Sequence, residues 1–574
     1  MNKIRPFILG LTVVLSALLA YGLFTLPAPK DADYDGFSSA RVVKDIEVIS
    51  KEHHSVAHPV ERARVREYLV ERLEGLGADT VKLFEYDSLV GPKNKHVVYQ
   101  FDAVNVLAEF SPEGKSDSTA YLMFVAHYDS RFSQPMPKDT VWSNGAADDG
   151  YGLGVILETL SQALKSRSEW KQGVKVLFTD AEEAGMMGMS AIWEHDREVF
   201  DNVGFVINVE ARGPFGPALM FEACSGNDKV LDLYASNARY PFTYSLTTVV
   251  YSLMPVFTDF TVLKNELPGL NFSTIADVNH YHTDLDNISN ISEKSIQHYG
   301  EQILPVAMAY LTSDEYADKD ALRADMNQTN FSVPALGMVS FSPAGYKVFC
   351  IVVFVLFLLV FALEGFRGRL KAMRVFKTSA IVLGSALGVL LLGEAYAWIC
   401  AAIVGAKFSL FGTVQGVPFD NMAMVLFVSM VFAATLLVYW NSRAKAIRSS
   451  LGSMRASAAF AAVSANALNL LYAGLALLFV LSAALLFTLG ENMMFIIPLA
   501  CATAAIVLWR LTSLKVWLVI AVALILLHAF SFLYALAMAL TIGALGAVAM
   551  IAFLDFVVLI PLSDLYCGIW RADR

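Results

Sequence analysis

Residues 126–152 read AHYDSRFSQPMPKDTVWSNGAADDGYG, which sets His127 and Asp129 two apart and then places the adjacent pair Asp148–Asp149 before a glycine. Charge held away from water is expensive unless it is paired. Yet the run YLMFVA (121–126) just before His127 reads as a buried strand. Glu182 and Glu183 follow a second strand-like run, VKVLFTD (174–180), and Glu210 sits near the end of a third, FVINVEA (205–211). His282 falls in the polar loop NHYHTDLDN (279–287). Each residue alone has an ordinary reading: a core or surface histidine, a solvated turn, or acidic groups favoured at a helix N-terminus. Glu210 is harder to place so, because carboxylates are rarely buried without a partner. Together, two histidines and several carboxylates match the nitrogen and oxygen donors that zinc prefers. They outnumber the ligands of one catalytic zinc, and a pair of metals ~3.5–4 Å apart sharing one carboxylate would use them all. Arg212, Glu222 and Asn227 follow as weaker candidates for holding a substrate terminus.

These groups need a scaffold that gathers strand ends. The runs 81–86, 105–110, 121–127, 174–180, 205–211, 218–223 and 268–275 read as strands. Residues 59–76, 152–166, 229–238 and 291–311 have helical spacing. Strands alternating with helices predict an α/β fold with a mostly parallel sheet flanked by helices. Ligands bind such sheets beyond the carboxyl ends of the strands, where His127, Glu182, Glu183 and Glu210 all fall.

HYD, GAADDGYG, DAEEAG, NVEARG and YHTDLD, in that order, resemble the motifs of the co-catalytic zinc aminopeptidases (clan MH, family 28) over about residues 40–312. The resemblance implies two zinc ions per chain and a peptide substrate. It implies that His127 and Glu210 hold one zinc, Glu183 and His282 the other, and that Asp148 bridges them. Glu182 would be the general base, Asp129 would support the His127 ring and Asp286 the His282 loop. The bond between Asp148 and Asp149 would be cis.

Hydrophobic residues make up 56% of the 574, and the excess is concentrated in 346–562. Residues 7–27 are apolar after a short basic start and read as an uncleaved anchor. Seven further spans are predicted, at about 346–363, 380–403, 421–440, 464–489, 493–509, 516–536 and 541–562, each near the ~20 residues that cross a bilayer. Arg367 to Lys377, Arg443 to Arg455, Arg510 with Lys515, and Arg571 with Arg574 make every second connection basic. The positive-inside rule then puts both ends in the cytosol and the region before the second span outside it. The expected organisation is an anchor (1–28), an extracytoplasmic zinc peptidase domain (29–345) and a multispan transmembrane domain (346–574) in contact with the lipid bilayer. Multispan endoplasmic-reticulum and vacuolar metallopeptidases of the same family are similar in this order. Sequons at Asn271, Asn287, Asn290, Asn327 and Asn330, two of them in or near the proposed site, favour a bacterial inner membrane and periplasm over an organelle. The net charge of −10 argues against nucleic acid as a partner. Glu394, His528 and Asp555 lie inside apolar spans, where they either pair within the bundle or line a polar cavity. Three other functions stay open: a single-zinc glutaminyl cyclase, a receptor or scaffold on a peptidase fold, and a transporter with an accessory peptidase.

Overall fold

The computed structural model describes residues 4–90, 100–132, 142–252, 256–334, 336–451 and 456–567, side chains at 446–451 and 456–467 excepted. Arg455, Arg571 and Arg574, three of the basic residues that set the expected orientation, lie outside the described residues. Two compact units make up the chain: Phe24–Ser332 with Gly337–Pro343, and Met1–Leu23 with Val333–Leu336 and Ala344–Arg574. Helix α1 (Ile4–Gly22) belongs to the latter.

The first unit contains helices α2 (Ser39–Ile49), α3 (Pro59–Gly75), α4 (Gly150–Ala163), α5 (Met187–His195), α6 (Asp228–Asn237), α7 (Ser245–Ser252), α8 (Phe260–Leu263) and α9 (Glu293–Thr312). They flank a sheet of seven strands: β1 (Thr80–Val90), β2 (Gln100–Phe110), β3 (Tyr121–His127), β4 (Gly173–Thr179), β5 (Val203–Ala211), β6 (Phe215–Ala223) and β7 (Gly269–Ala276). Their order is β1-β2-β4-β3-β5-β7-β6. The parallel part is the central four, β4, β3, β5 and β7; β1, β2 and β6 join antiparallel at the edges. β1 and β2 are nine residues apart in sequence, fewer than the dozen or so that a parallel crossover needs, and they pair antiparallel. β3, β4 and β5 are buried along their whole length, which explains their unbroken apolar runs. Helix α4 enters the core through Gly150, Gly152 and Gly154. A Cβ at Gly154 would lie 2.7 Å from Val42 Cγ1, so this glycine lets α2 pack directly on α4.

The second unit continues with α10 (Pro343–Phe366), α11 (Ala372–Val404), α12 (Asp420–Leu451), α13 (Ala456–Leu489), α14 (Met493–Thr512), α15 (Val516–Leu540) and α16 (Leu545–Cys567). Together with α1, these contain segments long and apolar enough to cross a membrane. The stretch Val516–Cys567 is split into α15 and α16 by the single turn Thr541–Ala544. Glycines let α11 and α16 touch: a Cβ on Gly393 would fall 2.6 Å from Gly546 Cα. There Glu394 Oε1 accepts the Gly546 N–H at 3.1 Å, satisfying one of the donors that the first turn of α16 leaves open. Asp555 is nine residues further along α16, roughly 13.5 Å away by helical rise. Glu394 and Asp555 therefore do not meet in one polar cavity, and Glu394 acts as a cap.

Candidate metal centre

Topology brings the site together. β3 lies between β4 and β5, and its last residue, His127, is level with Thr179 at the end of β4. The chain leaving β4 thus carries Glu182 and Glu183 past His127 on one side, while β5 presents Glu210 on the other. β7, next to β5, runs out into the loop that holds His282.

His127 Nε2 is 3.3 Å from Asp148 Oδ1 and 3.6 Å from Glu210 Oε2. His282 Nε2 is 3.2 Å from Asp148 Oδ2 and 3.1 Å from Glu183 Oε1. The two oxygens of Asp148 thus face two separate pairs. In each of the sets His127–Asp148–Glu210 and Asp148–Glu183–His282, the donor atoms lie within 4.8 Å of one another. Asp148 Oδ2, Glu183 Oε1 and His282 Nε2 are buried without a hydrogen-bond partner. Ligand atoms held 2.0–2.2 Å from one tetrahedral centre are roughly 3.3–3.6 Å apart, close to the spacings observed. The donor set fits zinc in chemistry and in distance.

Neighbouring groups fix these side chains. Asp129, fully buried, accepts the Glu182 N–H at 2.9 Å with one carboxylate oxygen and the Glu183 N–H at 3.2 Å with the other. It reaches the His127 ring chiefly through its backbone oxygen, 2.9 Å from Nδ1, against 3.6 Å for the carboxylate. A ring N–H donated there leaves Nε2 free to face Asp148 and Glu210. Asp286, in the His282 loop, accepts the Ala147 N–H at 2.7 Å and the Ser143 hydroxyl at 2.9 Å. It thereby ties that loop to the segment carrying Asp148. The Tyr281 ring stacks on His282 at 3.5 Å. The Asp148–Asp149 bond is cis, and Asp149 caps α4 by accepting the Gly152 N–H at 3.0 Å.

Glu182 belongs to neither donor set. Burial, with Glu210, Glu183 and Asp259 nearby, pushes its carboxyl well above the ordinary range. Burial opposes charge on Glu183 too, but His282 and Arg131 outweigh it and hold that carboxyl below its ordinary value.

Two supporting residues were not foreseen from the sequence. Arg131 grips Glu183, its Nη1 being 2.7 Å from Oε2 and 3.0 Å from the backbone oxygen. Its place two residues after Asp129 was the available signal. Asp259, fully buried at the start of α8, accepts the Thr179 hydroxyl behind the site, and burial first among its causes pushes its carboxyl up to about 7. It stands alone in an unremarkable stretch, TDF, and offered no signal. Of the weaker candidates, Glu222 is fully buried and paired with Lys264 at 2.6 Å, and Asn227 accepts the Gln328 N–H at 2.9 Å. Both stabilise the fold. Arg212 is half-buried and interacts with Tyr281.

Comparison with known proteins places this site in context. Residues 105–307 match peptidase family M28. Endoplasmic reticulum metallopeptidase 1 of Mus musculus is 28% identical over 230 residues, covering 39% of this chain and 24% of the relative. A vacuolar membrane protease of Lodderomyces elongisporus is 28% identical over 285 residues, covering 47% and 28%. The match thus spans about a quarter of the length of these relatives. Among solved structures, a Zn-dependent exopeptidase from Parabacteroides distasonis aligns over 47% of this chain and 98% of its own at 17% identity and a TM-score of 0.37. A Bacteroides thetaiotaomicron glutaminyl cyclase aligns over 50% and 99%, at 17% identity and a TM-score of 0.38. The match to peptidase family M28 over residues 105–307 encloses the whole constellation from His127 to His282.

Proposed function

We propose that the chain is a membrane-anchored aminopeptidase that uses two zinc ions, with its catalytic domain outside the cytosol. The observation that carries this reading is the pair of donor sets sharing Asp148, one through each oxygen. His127 and Glu210 would hold one ion, Glu183 and His282 the other, and Asp148 both. Zinc bound there supplies Lewis acidity, which polarises a scissile carbonyl and makes water nucleophilic near neutral pH. Glu182 takes a proton from the attacking water on its carboxylate and delivers it to the departing amine. Asp129 and Arg131 keep the 182–183 segment in place while this happens. The aminopeptidase assignment rests on the resemblance of the five motifs, and the orientation on the basic alternate connections. Full burial of Asn271 and near-full burial of Asn330 leave no room for a glycan at either sequon, which favours a bacterial envelope.

The test uses the full-length protein in detergent and peptides with free or blocked N-termini, with and without a chelator. Release of the N-terminal residue from free peptides only, abolished by chelation and restored by zinc, is the expected result. Equal cleavage of blocked peptides would refute the exopeptidase assignment. One zinc per chain with cyclisation of N-terminal glutamine would replace it with a glutaminyl cyclase.

A further inference from the structure

Helices α11, α12, α13 and α16 leave a cleft of about 670 Å³ between them. Its lining runs along α11 from Arg374 to Leu392, roughly 27 Å by helical rise and close to the ~30 Å of a bilayer's hydrocarbon core. Most of the wall is apolar, with Val389, Leu392, Phe427, Val431, Phe553 and Val557 in it. An apolar recess of this size left unfilled would forfeit dispersion contacts over its whole lining. A flexible hydrocarbon chain can restore them.

The two ends of the cleft differ. At the start of α11 and the far part of α12 the lining becomes polar and cationic, through Arg374, Tyr439, Ser442 and Arg443. Arg443 is neutralised there, since its Nη1 bonds both oxygens of Asp564 at 2.7 and 2.6 Å while the Tyr439 hydroxyl donates to the same carboxylate. Arg374 is exposed and has no ion-pair partner among the described residues. Ser442 is also exposed and lines the same cleft. Among the described lining residues the mouth therefore carries one net positive charge above a hydrocarbon-lined slot, at the basic end of the bundle.

We propose that this cleft is a binding site for one anionic phospholipid of the surrounding membrane, its acyl chain along α11 and α16 and its phosphate at Arg374 and Ser442. The single negative charge of such a headgroup complements Arg374, the one cation without an ion-pair partner among the described lining residues. A zwitterionic lipid fills the slot equally well but brings no net charge to Arg374.

The experiment titrates the full-length protein in neutral detergent with dioleoyl phosphatidylglycerol and, separately, dioleoyl phosphatidylcholine. Native mass spectrometry counts retained lipid, and thermal unfolding reports stabilisation. The expected result is one phosphatidylglycerol per chain, bound roughly fivefold more tightly than phosphatidylcholine, the value of one basic side chain at an anionic surface. Arg374→Gln, an exposed change at the end of a helix, should erase that preference and leave phosphatidylcholine binding as it was. Ala434→Trp, which fills the slot, should weaken both lipids. Equal affinity for the two lipids in the native chain, or a preference that survives in Arg374→Gln, overturns the proposal.

Discussion

Replacing Asp129 by asparagine tests the frame that holds Glu182 and Glu183. In the native chain its two oxygens take the two successive backbone N–H groups, at 2.9 and 3.2 Å, with no solvent access. The amide keeps one acceptor oxygen and turns an NH₂ group towards the other peptide. One buried donor then loses its partner, which costs about 1–3 kcal/mol, and the bond that survives falls from a charge-assisted to a neutral one, about 1 kcal/mol more. The expected loss is about 2–4 kcal/mol, taken up either as lower stability or as movement of the 182–183 segment. Changes to groups that orient metal ligands typically cost about 10–100-fold in metal affinity or activity, or ~1.4–2.7 kcal/mol, which overlaps the lower part of that range. The assay is zinc titration of the metal-free full-length protein against a competing chelator, alongside thermal unfolding and turnover. Asp129→Asn should bind its more weakly held zinc about 10–100-fold less tightly and lose turnover in step. If both zinc affinities and turnover stay within twofold of the native chain, the Asp129 carboxylate is not what positions the pair.

Glu182→Gln should abolish turnover with zinc content nearly intact; appreciable hydrolysis at full zinc occupancy would put the base elsewhere. Asp148→Ala should deplete zinc at both positions, and two tightly bound zincs in that variant would refute the bridge. Gly152→Ala places a Cβ 2.2 Å from Asp149 Oδ2, an overlap expected to lower stability by about 1–3 kcal/mol, read as a reduced unfolding temperature; an unchanged one would show that the cap can move aside. Burial pushes the His298 imidazole down to about 3, whereas in the unfolded chain it titrates near 6.5. Its stabilising effect is therefore complete above pH ~6.5 and declines as the pH falls towards 3, by up to ~1.4 kcal/mol per unit. His298→Asn, which keeps an acceptor for the Ala218 N–H now bonded to Nδ1 at 3.0 Å, should unfold at temperatures less sensitive to pH between 6 and 4, and an equal sensitivity would count against the argument.

The strands that carry the site were legible because they are buried on both faces and so contain little but Val, Leu, Phe and Met, as in Tyr121–His127. The residues at their ends stood out because charge directly after such a run has few ordinary explanations. Strand order was not legible. It depends on which crossovers pair, and nothing local in Gly173–Thr179 says that β3 lies on one side and β2 on the other. Nor did any local pattern show that β1, β2 and β6 join antiparallel at the edges. Arg131 and Asp259 escaped notice because their roles depend on contacts with Glu183 and Thr179, 52 and 80 residues away. The Asp286 carboxylate likewise works on residues 139 positions earlier, at Ala147. Glu394 was recognised as an anomaly inside an apolar span, but its partner is a backbone N–H of another helix, which no side-chain pattern announces.

The place of Asn271 in the sheet bears on how this protein can be made. Its side chain is fully buried between β5 and β6, hydrogen-bonded to Asn208, Thr258 and Glu222. Yet Asn-Phe-Ser at 271–273 is an acceptor sequence for any oligosaccharyl transferase that meets the chain before it folds. Secretion through a eukaryotic host would set sugar transfer against closure of β7, and each chain that lost that race would be barred from its native sheet. Production in bacteria avoids the competition. Comparing the yield of folded protein from a glycosylating host with and without a transferase inhibitor would measure how often the race is lost.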